Sequence, residues 1–286
     1  MNAAGLALRD RVCFVTGAGR GIGLATAREL AARGARGVVV VDLPGDELDA
    51  AADRLGDQAL AVGADVTDAE AMTDAVQAAL GRFGGLDVVV ANAGIERVGT
   101  VRTQPSDEFE RVIEVNLLGV YRTLRPAIEP VVERRGHLLA VSSVAATMAY
   151  PLAVAYSASK SGVDSLMRGL RAELLHTGTT AGAAYFGYID TSMMERARSK
   201  PAVEHFFDRL PARMQRPHPP EAAARAIVDG IECRKARVWV PRIVGMNLLL
   251  RGVFHLQDDR YTRRFDIAGA VTIAEAESRE RQPATP

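Results

Sequence analysis

The chain has 286 residues, 48% of them apolar, which is enough for one large α/β domain with an appendage. Lys plus Arg and Asp plus Glu each number 35, so the net charge is zero and the composition does not point to nucleic acid as a partner. No stretch reaches the roughly 18 apolar residues of a membrane span, and the opening MNAAGLALRDRV lacks the apolar run of a secretion signal. Cys13 and Cys233 stand at no metal or redox spacing, so each reads as a buried free thiol in a reducing, cytoplasmic setting. The histidines show no ligand spacing either, and no metal is expected.

Along the chain, short Val-rich runs alternate with segments of helical period. The runs Val12–Thr16, Gly37–Asp42, Ala59–Gly63, Asp87–Ala91, His137–Ser142 and Gly182–Phe186 read as buried parallel strands. Between them, Gly21–Arg33, Asp46–Leu55, Asp68–Arg82, Ser106–Arg134 and Ala153–His176 read as helices, with Asp68 and Ser106 as N-caps. Strand-helix alternation of this kind predicts a Rossmann-type, doubly wound parallel sheet in the α/β class. The segment Thr191–Pro220, with Pro201, Pro211, Pro217, Pro219 and Pro220, breaks the rhythm and reads as a lid insertion. A helix over Glu221–Cys233 and a last strand over Arg237–Val240 follow. The expected division is a dinucleotide-binding and catalytic domain over 1–240 and a C-terminal extension over 241–286.

The first strand runs into Thr16-Gly17-Ala18-Gly19-Arg20-Gly21-Ile22-Gly23, which opens the first helix. Gly17 suits the tight turn, Gly21 lets the backbone approach a pyrophosphate, and Gly23 lets helix and strand pack closely. The helix N-terminus offers free N–H groups to the diphosphate. Asp42 ends the second strand, where a carboxylate accepts hydrogen bonds from ribose hydroxyls and repels a 2′-phosphate, so NAD is expected over NADP; Arg20 is the residue that could instead meet a phosphate. Asp65-Val66 ends the third strand, and Asp65 either flanks the adenine or caps the next helix.

Tyr156 and Lys160 in YSASK are four apart on a helix and share one face. A cation beside a phenol favours the phenolate and lowers its pKa, toward a range where the group can take and return a proton. Ser143 lies at the end of the fifth strand, where its hydroxyl can hold a substrate oxygen. Alternation sends Ser142 and Ser143 to opposite faces, so one of the two reaches Tyr156.

In the combination TGAGRGIG, Asp65, Asn92-Ala93-Gly94, Asn116, Ser143 and YSASK, the chain resembles the short-chain dehydrogenase/reductase family over about residues 10–240. The resemblance implies a catalytic tetrad of Asn116, Ser143, Tyr156 and Lys160, with Asn116 holding a water near the lysine. It also implies that Asn92 braces the sheet while Ala93 and Gly94 pass along the cofactor. The family's Pro-Gly after the sixth strand is Phe186-Gly187 here, with Ile189 and Thr191 placed to meet the nicotinamide end.

The apolar residues Met193, Met194, Phe206, Phe207, Leu210 and Met214, with Tyr150, Pro151, Leu152 and Tyr188, read either as a pocket or as ordinary core. The pocket reading gives a bulky hydrophobic alcohol or ketone as substrate: a steroid, terpenoid or alicyclic compound. Within Ile243–Leu256, Asn247, Arg251 and His255 form one narrow polar stripe on an otherwise apolar helix. Such a helix can pack on a neighbouring subunit, cover the pocket, or make peripheral contact with a membrane. The resemblance implies a homodimer or homotetramer, with the Ser106–Arg134 and Ala153–His176 helices at the interface.

The expectation is therefore an NAD-dependent enzyme that interconverts a secondary alcohol and a ketone. The alternatives are an NADP-dependent reductase of carrier-bound 3-oxoacyl groups and a non-catalytic NAD-sensing protein.

Overall fold

The computed structural model describes residues 5–148, 150–255 and 263–281. Seven strands form one parallel sheet: β1 (Val12–Thr16), β2 (Gly37–Asp42), β3 (Ala59–Gly63), β4 (Val88–Ala91), β5 (His137–Val141), β6 (Thr180–Phe186) and β7 (Arg237–Val240). Their order is β3-β2-β1-β4-β5-β6-β7. The central strands are apolar on both faces because helices cover both: β1, β4, β5 and β6 are buried throughout.

Two cores flank the sheet. One joins Phe14, Val39, Val89 and Leu138 to Met72, Val76, Val163 and Met167 from helices Ala69–Phe83 and Val154–Leu174. The other joins Val15, Val40, Val90 and Leu139 to Ala27, Leu30, Ile227 and Ile231 from helices Gly21–Ala32 and Pro220–Glu232. Each fully buried large side chain of this kind contributes about 1.5–3 kcal/mol to folding. The strand order reverses between β1 and β4, and the crevice beyond their carboxyl ends is where α/β sheets bind ligands.

The structure adjusts several sequence readings. Asp68 caps its helix, accepting from the N–H groups of Glu70 and Ala71 at 2.9 and 3.1 Å. Ser106 does not cap; Pro105 holds that position and its carbonyl takes the N–H of Phe109. The single helix expected over Ser106–Arg134 is a chain of short pieces with a π-helical stretch, Glu114–Leu118, centred on Asn116. Cys13 is buried, but Cys233 is exposed, because it sits at the C-cap of Pro220–Glu232.

The lid segment forms short helices Ser192–Arg198, Pro201–Phe207 and Ala212–Gln215. Phe206, Phe207 and Leu210 build a third core with Leu152 and with Ile267, Ala270 and Ala274 of the C-terminal helix Ile267–Arg281. A second C-terminal helix spans Arg242–His255, with Val244 and Leu248 buried. Of its polar stripe, Asn247 is half-buried and lines the sheet's ligand crevice; the side chains of Arg251 and His255 lie outside the described residues. No described helix is long and apolar enough to cross a membrane.

Candidate active site

A cavity of about 600 Å³ runs along the carboxyl ends of the strands, from Asp42 and Asp65 at one end to Met214 and Asn247 at the other. Gly17, Arg20, Gly21, Ile22, Val66, Asn92, Ala93, Gly94, Ser143, Tyr156, Lys160, Gly187, Ile189 and Thr191 all line it. The glycine loop is held from behind. Asn92 Nδ2 donates to the carbonyls of Thr16 and Gly17 at 2.9 and 3.1 Å, while Thr16 Oγ1 accepts from the N–H groups of Asn92 and Ala93. Gly17 has φ +64°, the left-handed region that favours glycine. A Cβ on Gly23 would sit 2.0 Å from the Gly17 carbonyl oxygen, so this helix can start here only with glycine. A Cβ on Gly21 would meet only the Thr191 methyl, at 3.5 Å, and otherwise project into the cavity. The cradle therefore fits a diphosphate lying against backbone.

Acidic groups stand at the β2 and β3 tips. Asp42 accepts from the Gly19 N–H at 2.8 Å and from the Leu43 N–H at 2.8 Å. Arg20 Nη1 donates to both carboxylate oxygens of Glu47, at 2.9 and 2.8 Å, in an exposed pair. Asp65 does not cap the next helix; it accepts from the N–H and hydroxyl of Thr67 and pairs with Arg111 at 3.0 Å. Its carboxyl is held below the usual value: although burial opposes this, the Thr67 and Arg111 bonds outweigh it.

The proton-handling groups converge mid-cavity. Ser143 stands by the Tyr156 phenol, where it favours the phenolate, and its Oγ accepts from the Ala145 N–H at 3.1 Å. Ser142 turns away and donates to the Lys160 carbonyl, so the alternation rule selects Ser143. Lys160 is 3% exposed; its Nζ donates to the Val141 carbonyl at 2.8 Å and lies 5.6 Å from the Tyr156 ring centroid. Burial lowers its pKa to about 8. The expected acidification of Tyr156 does not hold in the chain by itself. Burial and the charge of Glu96 hold the phenol above its ordinary range, and the Ser143 bond only partly offsets them.

Asn116 is fully buried, and its amide is spent on holding the loop after β4. Its Oδ1 accepts from the Ile95 N–H at 2.8 Å, and its Nδ2 donates to the Ile95 carbonyl at 2.9 Å and to Ser159 Oγ at 3.2 Å. Ser159 in turn donates to the Tyr156 carbonyl at 2.7 Å, tying Asn116 to the reactive helix. The π-helical stretch supplies the local register change that such insertions often bring to functional sites.

Beyond β6, Gly187 N–H donates to the Val240 carbonyl, and His218 bridges Tyr188 and Asp190 through backbone bonds. That bridge leaves the N–H of Ile189 outside it. Thr191 caps Ser192–Arg198, accepting from the Met194 N–H at 3.4 Å. Met193, Met194, Phe206, Phe207, Leu210, Met214, Tyr150 and Tyr188 also line the cavity, as do Ile243 and Val244 from the C-terminal extension. Two readings of the apolar lid thus coincide, since Phe206 and Phe207 are at once core and wall.

The sequence reading overlooked Thr16, Ser159 and Glu96. Thr16 stands immediately before the glycine run and Ser159 inside YSASK, so both were within reach of spacing. Glu96, two residues past Asn92-Ala93-Gly94, gave no signal of its own until the lid was seen to fold over it.

A phosphate-cradling glycine loop at the sheet's switch point, beside a buried Tyr-Lys-Ser-Asn cluster, defines a dinucleotide-dependent oxidoreductase. Comparison with known proteins refines this: residues 11–202 match the model of the short chain dehydrogenase family, and the chain belongs to that family. It is 36% identical over 193 residues to a trans-4-hydroxycyclohexanecarboxylate dehydrogenase of Sinomonas cyclohexanicum, covering 64% of this chain and 74% of that one. It is 34% identical over 189 residues to a 3-alpha-(or 20-beta)-hydroxysteroid dehydrogenase of Mycobacterium bovis, covering 66% and 72%. Among solved structures, a short chain dehydrogenase from Burkholderia cenocepacia in complex with NADP superposes with TM-score 0.73 at 27% identity, covering 81% of this chain and 96% of that one. The chain is accordingly an oxidoreductase acting on CH–OH groups, and its family binds a nicotinamide cofactor.

Proposed function

We propose that the chain is an NAD-dependent dehydrogenase of bulky hydrophobic secondary alcohols, of the steroid, terpenoid or alicyclic kind, and reduces the matching ketones in reverse. The observation that carries this is the Tyr156–Ser143 hydroxyl pair, set over buried Lys160 between the glycine cradle and the apolar lid. NAD is favoured over NADP by Asp42, whose carboxylate stands on the Gly19 N–H where a 2′-phosphate would meet like charge. The same carboxylate argues against the NADP-dependent 3-oxoacyl reductase reading.

When bound, the nicotinamide ring accepts or returns a hydride. The chain's own groups do the rest. Gly17, Gly21 and Gly23 with the first-helix N-terminus hold the diphosphate; Asp42 holds the adenosine ribose; Asp65 and Val66 border the adenine. Ala93, Gly94, Gly187, Ile189 and Thr191 border the nicotinamide end. The Ser143 hydroxyl donates to the substrate oxygen and fixes it beside Tyr156, whose phenolate oxygen takes the alcohol proton. Lys160, charged below about pH 8, together with the positive charge of an oxidised nicotinamide ring, would favour the phenolate that burial and Glu96 oppose in the chain alone, and Lys160 would orient the nicotinamide ribose. Asn116 keeps the Ile95 loop and the Tyr156 helix in register, and so sets the distance between proton acceptor and cofactor path. Water is kept out by Phe206, Phe207 and Met194.

Self-association is part of this reading. Trp239, Met246, Leu249 and Leu250 are exposed along β7 and the helix after it, a surface suited to a second subunit.

The test is Tyr156→Phe. With a panel of steroid, terpene and alicyclic alcohols and NAD, kcat should fall by about 100- to 10,000-fold while cofactor affinity stays within a few-fold. Retained turnover, or activity confined to small polar alcohols, overturns the proposal.

A further inference from the structure

Glu96 follows the loop that Asn116 holds, and its carboxylate has no hydrogen-bond or ion-pair partner among the described residues; the one bond at this residue is from Arg97 Nη1 to its backbone carbonyl, at 3.1 Å. The residue lines the main cavity and also a second hollow of about 10 Å³, the size of one water, whose other walls include Tyr150, Leu152, Val203, Phe206 and Phe207. That hollow lies under the lid, on the side away from the glycine loop, so Glu96 belongs to the substrate end. A carboxylate in such a place costs stability unless something donates to it. Glu96 and Tyr156 line the same cavity, the charge of Glu96 acts on the phenol, and burial raises the Glu96 pKa to about 7.

We propose, building on the function proposed above, that Glu96 is a specificity-determining residue: its side chain accepts a hydrogen bond from a second hydroxyl on the substrate, so that the preferred substrates are diols rather than plain apolar alcohols. A neutral donor fits better than a cation, because Lys160, Arg196, Lys200 and Arg216 line the same cavity and a cationic substrate would meet their like charge. A site built to bond a hydroxyl disfavours the analogue that lacks it, since the half-buried acceptor then loses its partner.

The experiment measures kcat/KM with NAD for matched mono-ol and diol pairs on cyclohexane, decalin and steroid scaffolds, in the wild type, Glu96→Gln and Glu96→Leu. The wild type should favour the diol of at least one scaffold by tenfold or more. Glu96→Leu should abolish that ratio, and Glu96→Gln, which keeps an acceptor oxygen, should retain part of it. Calorimetric binding of the same pairs to the NAD-loaded enzyme provides a readout independent of turnover. Diol preference in binding without any turnover supports Glu96 and sinks the proposed function instead. Equal ratios in wild type and Glu96→Leu, or a stronger preference for the matching amino alcohol than for the diol, overturn the Glu96 assignment while leaving the dehydrogenase reading intact. NAD binding to each variant confirms that it is folded.

Discussion

The two ends of the cavity are built from different materials. At the nucleotide end the wall is largely backbone: Gly17 and Gly21 face the cavity with Gly23 packed behind them, and Asn92 and Thr16 pin the loop across the β1–β4 gap. At the substrate end the wall is side chains carried on short helices, with Phe206 and Phe207 packed edge to face and Arg198 stacked 5.1 Å over Phe207. A backbone wall recognises a group common to all nucleotides and tolerates almost no change. A side-chain wall can be re-cut without disturbing the sheet. Between the two sits the proton-handling cluster, and its groups are tied to both: Lys160 to β5, Asn116 to the loop leading toward Glu96.

The contrast is broken most severely by Gly23→Ala, whose new methyl would lie 2.0 Å from the Gly17 oxygen and 2.6 Å from Asn92 Nδ2. Dinucleotide affinity, read by titration calorimetry, should fall about 100-fold or more, with about 1–3 kcal/mol lost in denaturant unfolding. A comparable methyl at the substrate end, Ala197→Val for example, should leave dinucleotide affinity alone. Asn116→Ala comes next: it removes three hydrogen bonds that link the Ile95 loop to the reactive helix, and should cost about 1–3 kcal/mol of stability together with a drop in kcat larger than any rise in KM. Asp42→Ala should lower the NAD-over-NADP ratio of kcat/KM about tenfold, equivalent to about 1.4 kcal/mol; an unchanged ratio removes the basis for expecting NAD. The smallest effect belongs to Glu96. Its folded pKa is raised to about 7 from an ordinary 4.5, so the folded state binds the extra proton between those values. The stabilisation from that proton is complete below about pH 4.5 and disappears as pH rises through 7. Relative to Glu96→Gln, the wild type should therefore lose about 1 kcal/mol across this window in denaturant melts, allowing for partial solvent access.

What sequence spacing reveals follows the same division. The glycine loop, Asn92 and the Tyr156–Lys160 pair obey local rules: a turn that only glycine can make, a helical period of four, a strand end facing a crevice. The strands were legible because burial on both faces leaves unbroken Val runs. The π-helical stretch at Asn116 was not, since it depends on bonds to Ile95 and Ser159, 21 and 43 residues away. Nor was the sign of the Tyr156 shift, because helical spacing places the cation but says nothing of how little water surrounds it. The lid's composition was plain, but its partner was not: the helix Ile267–Arg281 lies far along the chain, and the exposure of Cys233 likewise depends on where its helix stops.

The shared apolar cluster of Leu152, Phe206, Phe207, Ile267 and Ala270 makes the roof of the cavity and the end of the chain a single cooperative piece. Amide protons in Pro201–Phe207 and Ile267–Arg281 should thus exchange with deuterium in concert, well before those of β4 and β5. Removing the final helix should leave coenzyme capture intact while stripping the packing from behind the roof over the alcohol or ketone.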